Sequence, residues 1–505
     1  MRCGRSRPAA TQTSPPAVRV SPSLPISNRC CDPTDTAELR AQGSGLRAQG
    51  SRAAAVVCHR RCDGRPGCAR QSRFSTEGTT NPMRPGKAAT SLQHSTPVAP
   101  GGLPLLGHVV PLLRDPFRFL TSLPAHGDVV RIRIGPFPAY VLCEPELTRQ
   151  VLVDDRTFDK GGMLFDRVRD LLLGHGMATC PHSAHRPLRR LAQPAFHSNR
   201  LPGYAQAMAE EIATTTGRWH DGKAIDVLAE MHELAARVVV RTMFAGLPLR
   251  VPVTAVLSDL MAVFPGIYQR MMVPPALEKL PLPGSRGWNR ARQRLRGAFA
   301  QLIDDHRTRG TVEDDLLSML LSGANSPDTA HDVPHLSGDE VVDQMLTFFI
   351  GAVETTAATL AWALHLLAGH PDIEEELHAE VDAVLCGRAA AFEDLDRLSL
   401  TGRVITETLR LYPPGWFFTR TATAESTVGG HVIPVGATVV YSPYVIHHLP
   451  HLYPEPDSFL PGRWDGQSDA AHPNPALIPF GGGARKWASD DPSTPGNVLF
   501  GPLPR

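Results

Sequence analysis

Residues 130–134 alternate apolar side chains with arginine, which is the period of a half-buried β-strand. A turn sequence at 135–138 leads into the apolar residues 139–143, so the pattern predicts a β-hairpin. Residues 429–441 predict two more short strands, on either side of a Pro-Val-Gly turn. Helical spacing dominates the stretches 146–153, 203–215, 224–244, 288–307 and 314–321. The predicted fold class is mainly α with small β-sheets (α+β).

The longest helical pattern begins at 337–340, where Ser-Gly-Asp-Glu forms a capping box before an apolar run. It can continue to about Gly369, a length of about 48 Å. Apolar residues on all its sides predict burial through the domain centre. Glu354 and Thr355 interrupt them, and a buried carboxylate carries a desolvation cost. Either Glu354 meets a surface cation, or the two residues form a polar break over a ligand site, with Thr355 bonded back to the carbonyl of Gly351.

Two further pairs of polar residues have helical spacing. His185 and Arg189 are four residues apart, which places them on one helix face. Glu407 and Arg410 are three apart on an amphipathic helix predicted over 401–412. Taken alone, the first pair is typical of a solvated basic helix face, and the second of a weak surface ion pair.

Residues 1–99 show neither a helical nor a strand period and are rich in Arg, Ser, Pro, Ala and Gly. The group Cys58, His59, Cys62 and Cys68 has ligand types for zinc, but no second ligand pair follows at a finger-like spacing. We interpret 1–99 as a disordered or over-extended tail, with Met83 as an alternative start. An ordered domain is expected over 100–491, followed by an aberrant tail at 492–505.

The composition is that of an ordinary globular protein, with 42% hydrophobic and 20% charged residues. The net charge of +1 argues against a nucleic-acid partner. No apolar run approaches the roughly 18 residues that span a bilayer, so no membrane association is expected. Within the predicted ordered domain the cysteines are Cys143, Cys180 and Cys386, which suits a reducing cytoplasm. We expect a cytoplasmic monomer.

A glycine-rich stretch near the end of the chain carries the most specific pattern. Phe480 precedes three glycines that end at Gly483, and Arg485 can reach an anionic group beside that turn. The pattern resembles the haem-binding loop of the cytochrome P-450 monooxygenases. In that family the next motif position holds the cysteine whose thiolate ligates iron, and here it holds Trp487. Indole nitrogen is a donor only, so Trp487 cannot replace the thiolate.

The other motifs appear in the order of the same family. The resemblance implies that His185, Arg189 and Arg420 bind the haem propionates. It also implies that Glu407 and Arg410 form a buried cluster with Arg463, within Phe459-x-Pro-x-Arg463-Trp464. The stretch 351–356 is similar to the family's oxygen-binding groove, with Ala352 where many members have Gly. There, Thr355 would order the distal protons and Glu354 would relay them.

Taken together, the resemblance implies a cytochrome P-450 fold with haem b (iron protoporphyrin IX) as cofactor. The sequence is most similar to soluble bacterial members of the family that oxidise sesquiterpenes. The implied activity is insertion of one atom of O2 into an apolar, terpenoid substrate, with electrons from ferredoxin and ferredoxin reductase. The family's C-terminal helix and closing sheet are expected to be absent. The alternative is a catalytically inactive remnant that at most binds an apolar ligand, and we expect no turnover from the chain with Trp487.

Overall fold

The computed structural model describes residues 95–244, 250–272, 284–309, 315–325, 336–466 and 474–486. The predicted tail up to residue 94, Trp487 and the predicted tail 492–505 lie outside these ranges, as does any C-terminal helix or sheet beyond residue 486. The helices before the domain centre are α1 (Val109–Arg114), α2 (Pro116–Ser122), α3 (Pro145–Val153), α4 (Met163–Val168), α5 (His182–Ala192), α6 (Leu201–Thr216), α7 (Val227–Met243), α8 (Val253–Met272), α9 (Ser285–Arg309) and α10 (Leu316–Asn325). Those that follow are α11 (Gly338–Ala368), α12 (Pro371–Leu385), α13 (Ser399–Leu411) and α14 (Pro443–His447).

The strands are β1 (Val129–Ile134), β2 (Phe137–Leu142), β3 (Phe158–Asp159), β4 (Phe418–Ala422), β5 (Ser426–Val428), β6 (His431–Ile433) and β7 (Thr438–Tyr441). Five of them form a sheet in the order β1-β2-β7-β4-β3, and β5 pairs with β6 in a second sheet. The predicted hairpin is confirmed as β1 and β2, with Ile134 opposite Phe137 at the turn. The two strands predicted around the Pro-Val-Gly turn form as β6 and β7, in different sheets. The α+β fold class is confirmed.

Residues 97–99, which the sequence placed in the N-terminal tail, pair with β1. The backbone N–H of Arg131 donates to the carbonyl of Pro97 at 2.8 Å, and that of Ala99 donates to the carbonyl of Arg131 at 2.9 Å. Ala99 is buried in the cluster that covers the inner face of β1. The hydrogen-bonded structure therefore starts ahead of Pro100.

Helix α11 is the centre of the fold, as its apolar pattern predicts. Ser337 accepts from the backbone of Glu340, and the Glu340 side chain accepts from the backbone of Ser337, so both bonds of the capping box form. Its buried apolar side chains up to Ala361 belong to one large core cluster shared with α7, α8 and α9. By length and composition α11 could cross a membrane, which the sequence expectation overlooked, yet 67% of its most apolar window is buried inside the protein. It is a core helix of this domain.

The remaining predicted helices form with shifts of a few residues, as α3, α6, α7, α9 and α10. The predicted helix at 401–412 is α13, and it is buried on the side of Val404 and Thr408. Helices α8 and α12 and the short helices α1, α2, α4 and α14 were not predicted. Pro265 lies inside α8, and α12 is largely exposed with a weak apolar face. The other four have seven residues or fewer, too few for a helical period to stand out.

Candidate cofactor and active site

Four nitrogen-bearing side chains come together from four separate segments. They are the buried His185 on α5, Arg420 on β4 and Arg485 in the glycine-rich loop, and the half-buried Lys160 directly after β3. Lys160 interacts electrostatically with both arginines, and His185 does so with Arg485 and Lys160. We call these four residues the cation cluster. It joins His185 and Arg420, predicted to bind the propionates, and Arg485, predicted to reach an anionic group, to a lysine that the sequence did not indicate.

Several nitrogen atoms of the cation cluster have no hydrogen-bond partner among the described residues. They are Nε and Nη1 of Arg420, Nδ1 of His185 and Nε of Arg485. Arg485 uses its other nitrogens to donate to the carbonyl of Cys180 at 2.9 Å and to Oδ1 of Asp159 at 2.7 Å. Because buried polar groups are normally bonded, these free donors indicate a site that receives an acceptor.

The electrostatics of the cation cluster favour an anionic ligand. Burial lowers the pKa of Lys160 well below its ordinary value, and the charges of Arg420 and Arg485 lower it further. Burial lowers the pKa of His185 to about 3, with further contributions from Arg485 and Arg189. The pKa of Arg485 is also lowered, first by burial and then by Arg420. Uncompensated positive charge away from water is unfavourable, so a ligand with two carboxylates would stabilise this arrangement.

Lys160 could hardly be identified as a site residue from the sequence. It follows Phe158 and Asp159 and precedes two glycines, and a single lysine in such a run has no motif spacing to identify it. The glycine requirement is structural, because a Cβ on Gly161 would lie 2.8 Å from Oγ1 of Thr421 on β4. The chain must therefore pass close to β4, which buries Lys160 beside Arg420.

Arg189, the third residue predicted to bind a propionate, contacts the glycine-rich loop. Its Nη1 donates to the carbonyls of Ala484 at 3.2 Å and Lys486 at 3.0 Å. It lies one turn from His185 on α5, as the spacing predicts. Arg189 thus ties α5 to the loop that carries Arg485, and its contact with a propionate stays a prediction.

The glycine-rich loop lies against the end of α3. Gly483 has φ +68°, and a Cβ there would stand 2.0 Å from the carbonyl oxygen of Leu152. We expected the glycines to permit close approach to a flat ligand, and the structure shows that Gly483 is required by the helix α3 backbone. Phe480 packs beside Ala363 of α11 and Leu409 of α13. The loop is therefore fixed on two sides before it reaches position 487.

Two polar residues interrupt the apolar surface of α11. Thr355 makes the hydrogen bond that the sequence predicts, whereas Glu354 makes a contact that the sequence did not predict. Thr355 donates from Oγ1 to the carbonyl of Gly351 at 2.7 Å, which confirms the predicted bond. Glu354 does not meet a surface cation: its Oε2 lies 3.2 Å from Nε2 of His232 on α7, and His232 is 4% exposed. Its Oε1 is buried and has no partner among the described residues. Sequence could not identify His232, which lies 122 positions away.

The predicted buried cluster of Glu407, Arg410 and Arg463 is confirmed. Glu407 and Arg410 are 0% exposed and form two hydrogen bonds, at 2.9 and 2.8 Å. Arg463 donates from Nε to Oε1 of Glu407 at 3.1 Å. Trp464 also donates from Nε1 to Oε2 of Glu407 at 2.9 Å, a role for which the sequence offered only its neighbourhood to Arg463. The cluster joins α13 to the segment that carries Arg463 and Trp464.

An apolar cavity of about 50 Å³ lies between α6, α7 and α11. Its wall on α11 is formed by Ala352, Thr356 and Leu360. The cation cluster contributes nothing to its lining, and its volume is far below that of an ordinary ligand pocket. It adjoins the polar break of α11. The half-buried aromatic residues at 416–418 pack against the sheet and its core.

The residues fit haem at one end of the site. The free donors of Arg420, His185 and Arg485 suit the two propionates. The thiolate end is different: Cys180 donates its Sγ hydrogen to the carbonyl of Met177, and burial raises the pKa of its thiol to about 11. No group of three or more metal-ligand side chains occurs within the described ranges. The family's thiolate position itself is Trp487.

The comparisons with known proteins agree with this geometry. The family model described as cytochrome P450 matches residues 97–486. The chain is 43% identical over 412 residues to cyclooctat-9-en-7-ol 5-monooxygenase of Streptomyces melanosporofaciens, covering 81% of this chain and 88% of that protein. It is 42% identical over 397 residues to pentalenene oxygenase of Streptomyces avermitilis, covering 78% of this chain and 86% of that protein. It is also 42% identical over 395 residues to cyclooctatin synthase of Streptomyces melanosporofaciens, covering 78% and 85%. The chain belongs to the cytochrome P450 family of haem-binding monooxygenases.

Proposed function

We propose that this protein has the architecture of a terpenoid monooxygenase and binds haem through the cation cluster. The observation that carries the proposal is the set of buried, unpartnered donors on His185, Arg420 and Arg485. These side chains would hold the two propionates, and haem would supply the oxygen-activating chemistry when bound. Lys160 would be the fourth side chain to contact the same anionic ligand.

The residues of α11 would manage protons on the distal side. Thr355 keeps its hydroxyl hydrogen on the carbonyl of Gly351, so its oxygen lone pairs remain available to a water molecule. Glu354 supplies a carboxylate one position away, with one oxygen unpartnered. We assign Thr355 to ordering protons and Glu354 to relaying them.

The substrate class is proposed from the relatives. Two of them carry names that specify oxidation of cyclooctat-9-en-7-ol and of pentalenene, and both share more than 40% of their residues with this chain. We propose an apolar terpenoid for this protein. We also propose that electrons come from a ferredoxin and its reductase, and that the protein is a cytoplasmic monomer.

Trp487 supports a second candidate function, an inactive protein of the same fold. Thiolate donation to iron favours O–O cleavage, and neither Trp487 nor any other side chain of the loop supplies it. For the chain with tryptophan at this position we expect no monooxygenase turnover. The protein would then bind an apolar ligand, with or without haem.

The test compares the full chain with its Trp487→Cys variant. Haem content, the spectrum of the reduced carbon monoxide complex, and product formation from pentalenene with NADH, ferredoxin and ferredoxin reductase are measured for both. We expect the thiolate spectrum and product only in the variant. An Arg420→Met change in the same variant should lower its haem content, whereas Arg149→Met on the surface should not. Product from the unaltered chain would overturn the inactivity we expect, and a variant with haem but no thiolate spectrum would overturn the proposed monooxygenase.

A further inference from the structure

Both ring nitrogens of His232 face an acceptor oxygen, and a neutral imidazole, which carries one N–H, cannot donate to both. Nδ1 of His232 lies 2.8 Å from the carbonyl oxygen of Leu228. A carbonyl can only accept, so Nδ1 carries a hydrogen. Nε2, 3.2 Å from Oε2 of Glu354, must then either carry a second hydrogen or accept one from the carboxyl group. In both cases one proton is shared between the two side chains.

The charge distribution around His232 favours the ion pair. Burial lowers the pKa of His232, but the hydrogen bond and the negative charge of Glu354, with smaller contributions from the Leu228 carbonyl and Asp226, outweigh burial, so the pKa is raised above 6.5. The other charged groups on α7 have their own contacts: Glu233 pairs with Arg237, Arg241 pairs with Glu210 and Glu211, and Glu230 accepts from the indole of Trp219. On the neighbouring helices, Asp259 pairs with Arg294 and Asp343 with Arg296.

Only one oxygen of the Glu354 carboxylate is used by this contact. Oε2 faces His232, while Oε1 is buried without a partner among the described residues. Thr355 is the next residue, and its hydroxyl is bonded to the carbonyl of Gly351. A carboxylate held at one oxygen keeps a defined orientation and leaves the other oxygen free to exchange a proton.

We propose that His232 is a positioning residue for Glu354 and stores the proton that Glu354 relays. The proton moves from Nε2 of the imidazolium to Oε2 of the carboxylate. This leaves a neutral imidazole, with its hydrogen on Nδ1, and a carboxylic acid; the reverse transfer restores the ion pair. The use of this proton in oxygen chemistry rests on the proposed function, whereas the His232–Glu354 pair does not.

The pair is tested by NMR on the full chain with ¹⁵N-labelled histidine. The His232→Gln variant identifies the His232 signals by their loss, and circular dichroism confirms that each variant folds. We expect the pKa of His232 to lie above 6.5 in the unaltered chain and to fall in Glu354→Gln, because the two largest contributions that raise it, the hydrogen bond and the charge of Glu354, are then removed. His306, a buried histidine bonded to Ser318, serves as the control, and its NMR signals should be the same in the unaltered chain and in Glu354→Gln. A neutral His232 below pH 6.5, or an unchanged titration in Glu354→Gln, would overturn the proposal.

The catalytic role is tested in the Trp487→Cys background. Product formed per NADH, and peroxide released, are compared for His232→Gln and the matched buried-histidine control His306→Gln. We expect a several-fold lower yield of product per NADH for His232→Gln alone, with a changed pH profile and an unaltered haem spectrum. An unchanged yield and pH profile would overturn the storage role. If the background lacks a thiolate spectrum, the proposed function fails, and the NMR titration still decides whether the pair exists.

Discussion

Replacing Arg410 by Met should lower the free energy of unfolding by about 3–5 kcal/mol, because it leaves Glu407 charged and buried. Both side chains are 0% exposed, so water cannot replace the lost partner. Arg410 also donates to three backbone carbonyls, those of His447 at 2.9 Å, Pro456 at 2.7 Å and Ser458 at 3.1 Å. These carbonyls lose a charged donor as well. Arg463 still offers Glu407 one charged hydrogen bond from Nε, and the other remaining donors, Trp464 and the backbone N–H of Leu460, are uncharged, so the two bonds from Arg410 are not replaced.

The chain contains its own control for this experiment. Glu146 and Arg149 have the same sequence spacing and a bidentate contact, but their side chains are 70% and 55% exposed. Urea unfolding followed by circular dichroism would be compared for Arg410→Met and Arg149→Met. We expect a large loss of midpoint for the first and no resolvable change for the second. Equal effects, or a loss below about 1 kcal/mol for Arg410→Met, would refute the view that burial makes this pair essential. A Glu407→Gln change combined with Arg410→Met should cost less than the sum of the two.

Three further outcomes follow from burial and backbone geometry. Burial, then the charge of His448, lowers the pKa of His447 from 6.5 to about 3. The contribution of His447 to the free energy of unfolding should therefore be complete above pH 6.5 and fall as the pH drops towards about 3, by up to about 1.4 kcal/mol per pH unit. Urea unfolding at several pH values should show a weaker dependence of stability on pH for His447→Gln. Arg420→Met should raise the urea midpoint of the haem-free chain, because it removes an unpaired buried charge, and a lower midpoint would contradict this reasoning. Gly483→Ala should cost more than the strain of a positive φ alone, about 1–3 kcal/mol, since its Cβ would strike the backbone of α3; the control Gly284→Ala, with φ +83° and open space around it, should cost about 1 kcal/mol when both are measured by thermal unfolding.

The parts of the fold that sequence predicts are those determined by local spacing. The capping box at Ser337 and Glu340 forms with both bonds, because its partners are three residues apart. Glu407 and Arg410 are correctly paired for the same reason. Arg463 was assigned to them from the motif Phe459-x-Pro-x-Arg463-Trp464, and it does contact Glu407. The hairpin of β1 and β2 likewise follows from alternation and an adjacent turn.

The parts that sequence does not predict depend on contacts between distant segments. His232 lies on the buried face of α7, where a histidine is an ordinary core residue until the structure brings Glu354 to it. The pKa of Lys160 is lowered first by burial and then by Arg420 and Arg485, which lie more than 250 positions further along the chain. Gly483 was correctly singled out, but for a ligand that is not its closest neighbour. Identity and spacing indicate which residues matter, and only the tertiary contacts give the reason.

The two ends of the haem site differ in how many residues encode them, and this explains how one could be kept while the other is lost. The propionate end draws on His185, Arg420, Arg485 and Lys160 from four segments, each held in place by its own backbone element. Loss of any one of these four side chains leaves three nitrogen-bearing side chains for the same anion. The thiolate end depends on a single side chain at position 487. A Trp there removes the iron ligand without altering the contacts that fix residues 480–486 to α3 and α5. The fold and the anion-binding end should therefore persist in a chain that has lost its thiolate, and restoring one cysteine is the change most capable of returning the chemistry.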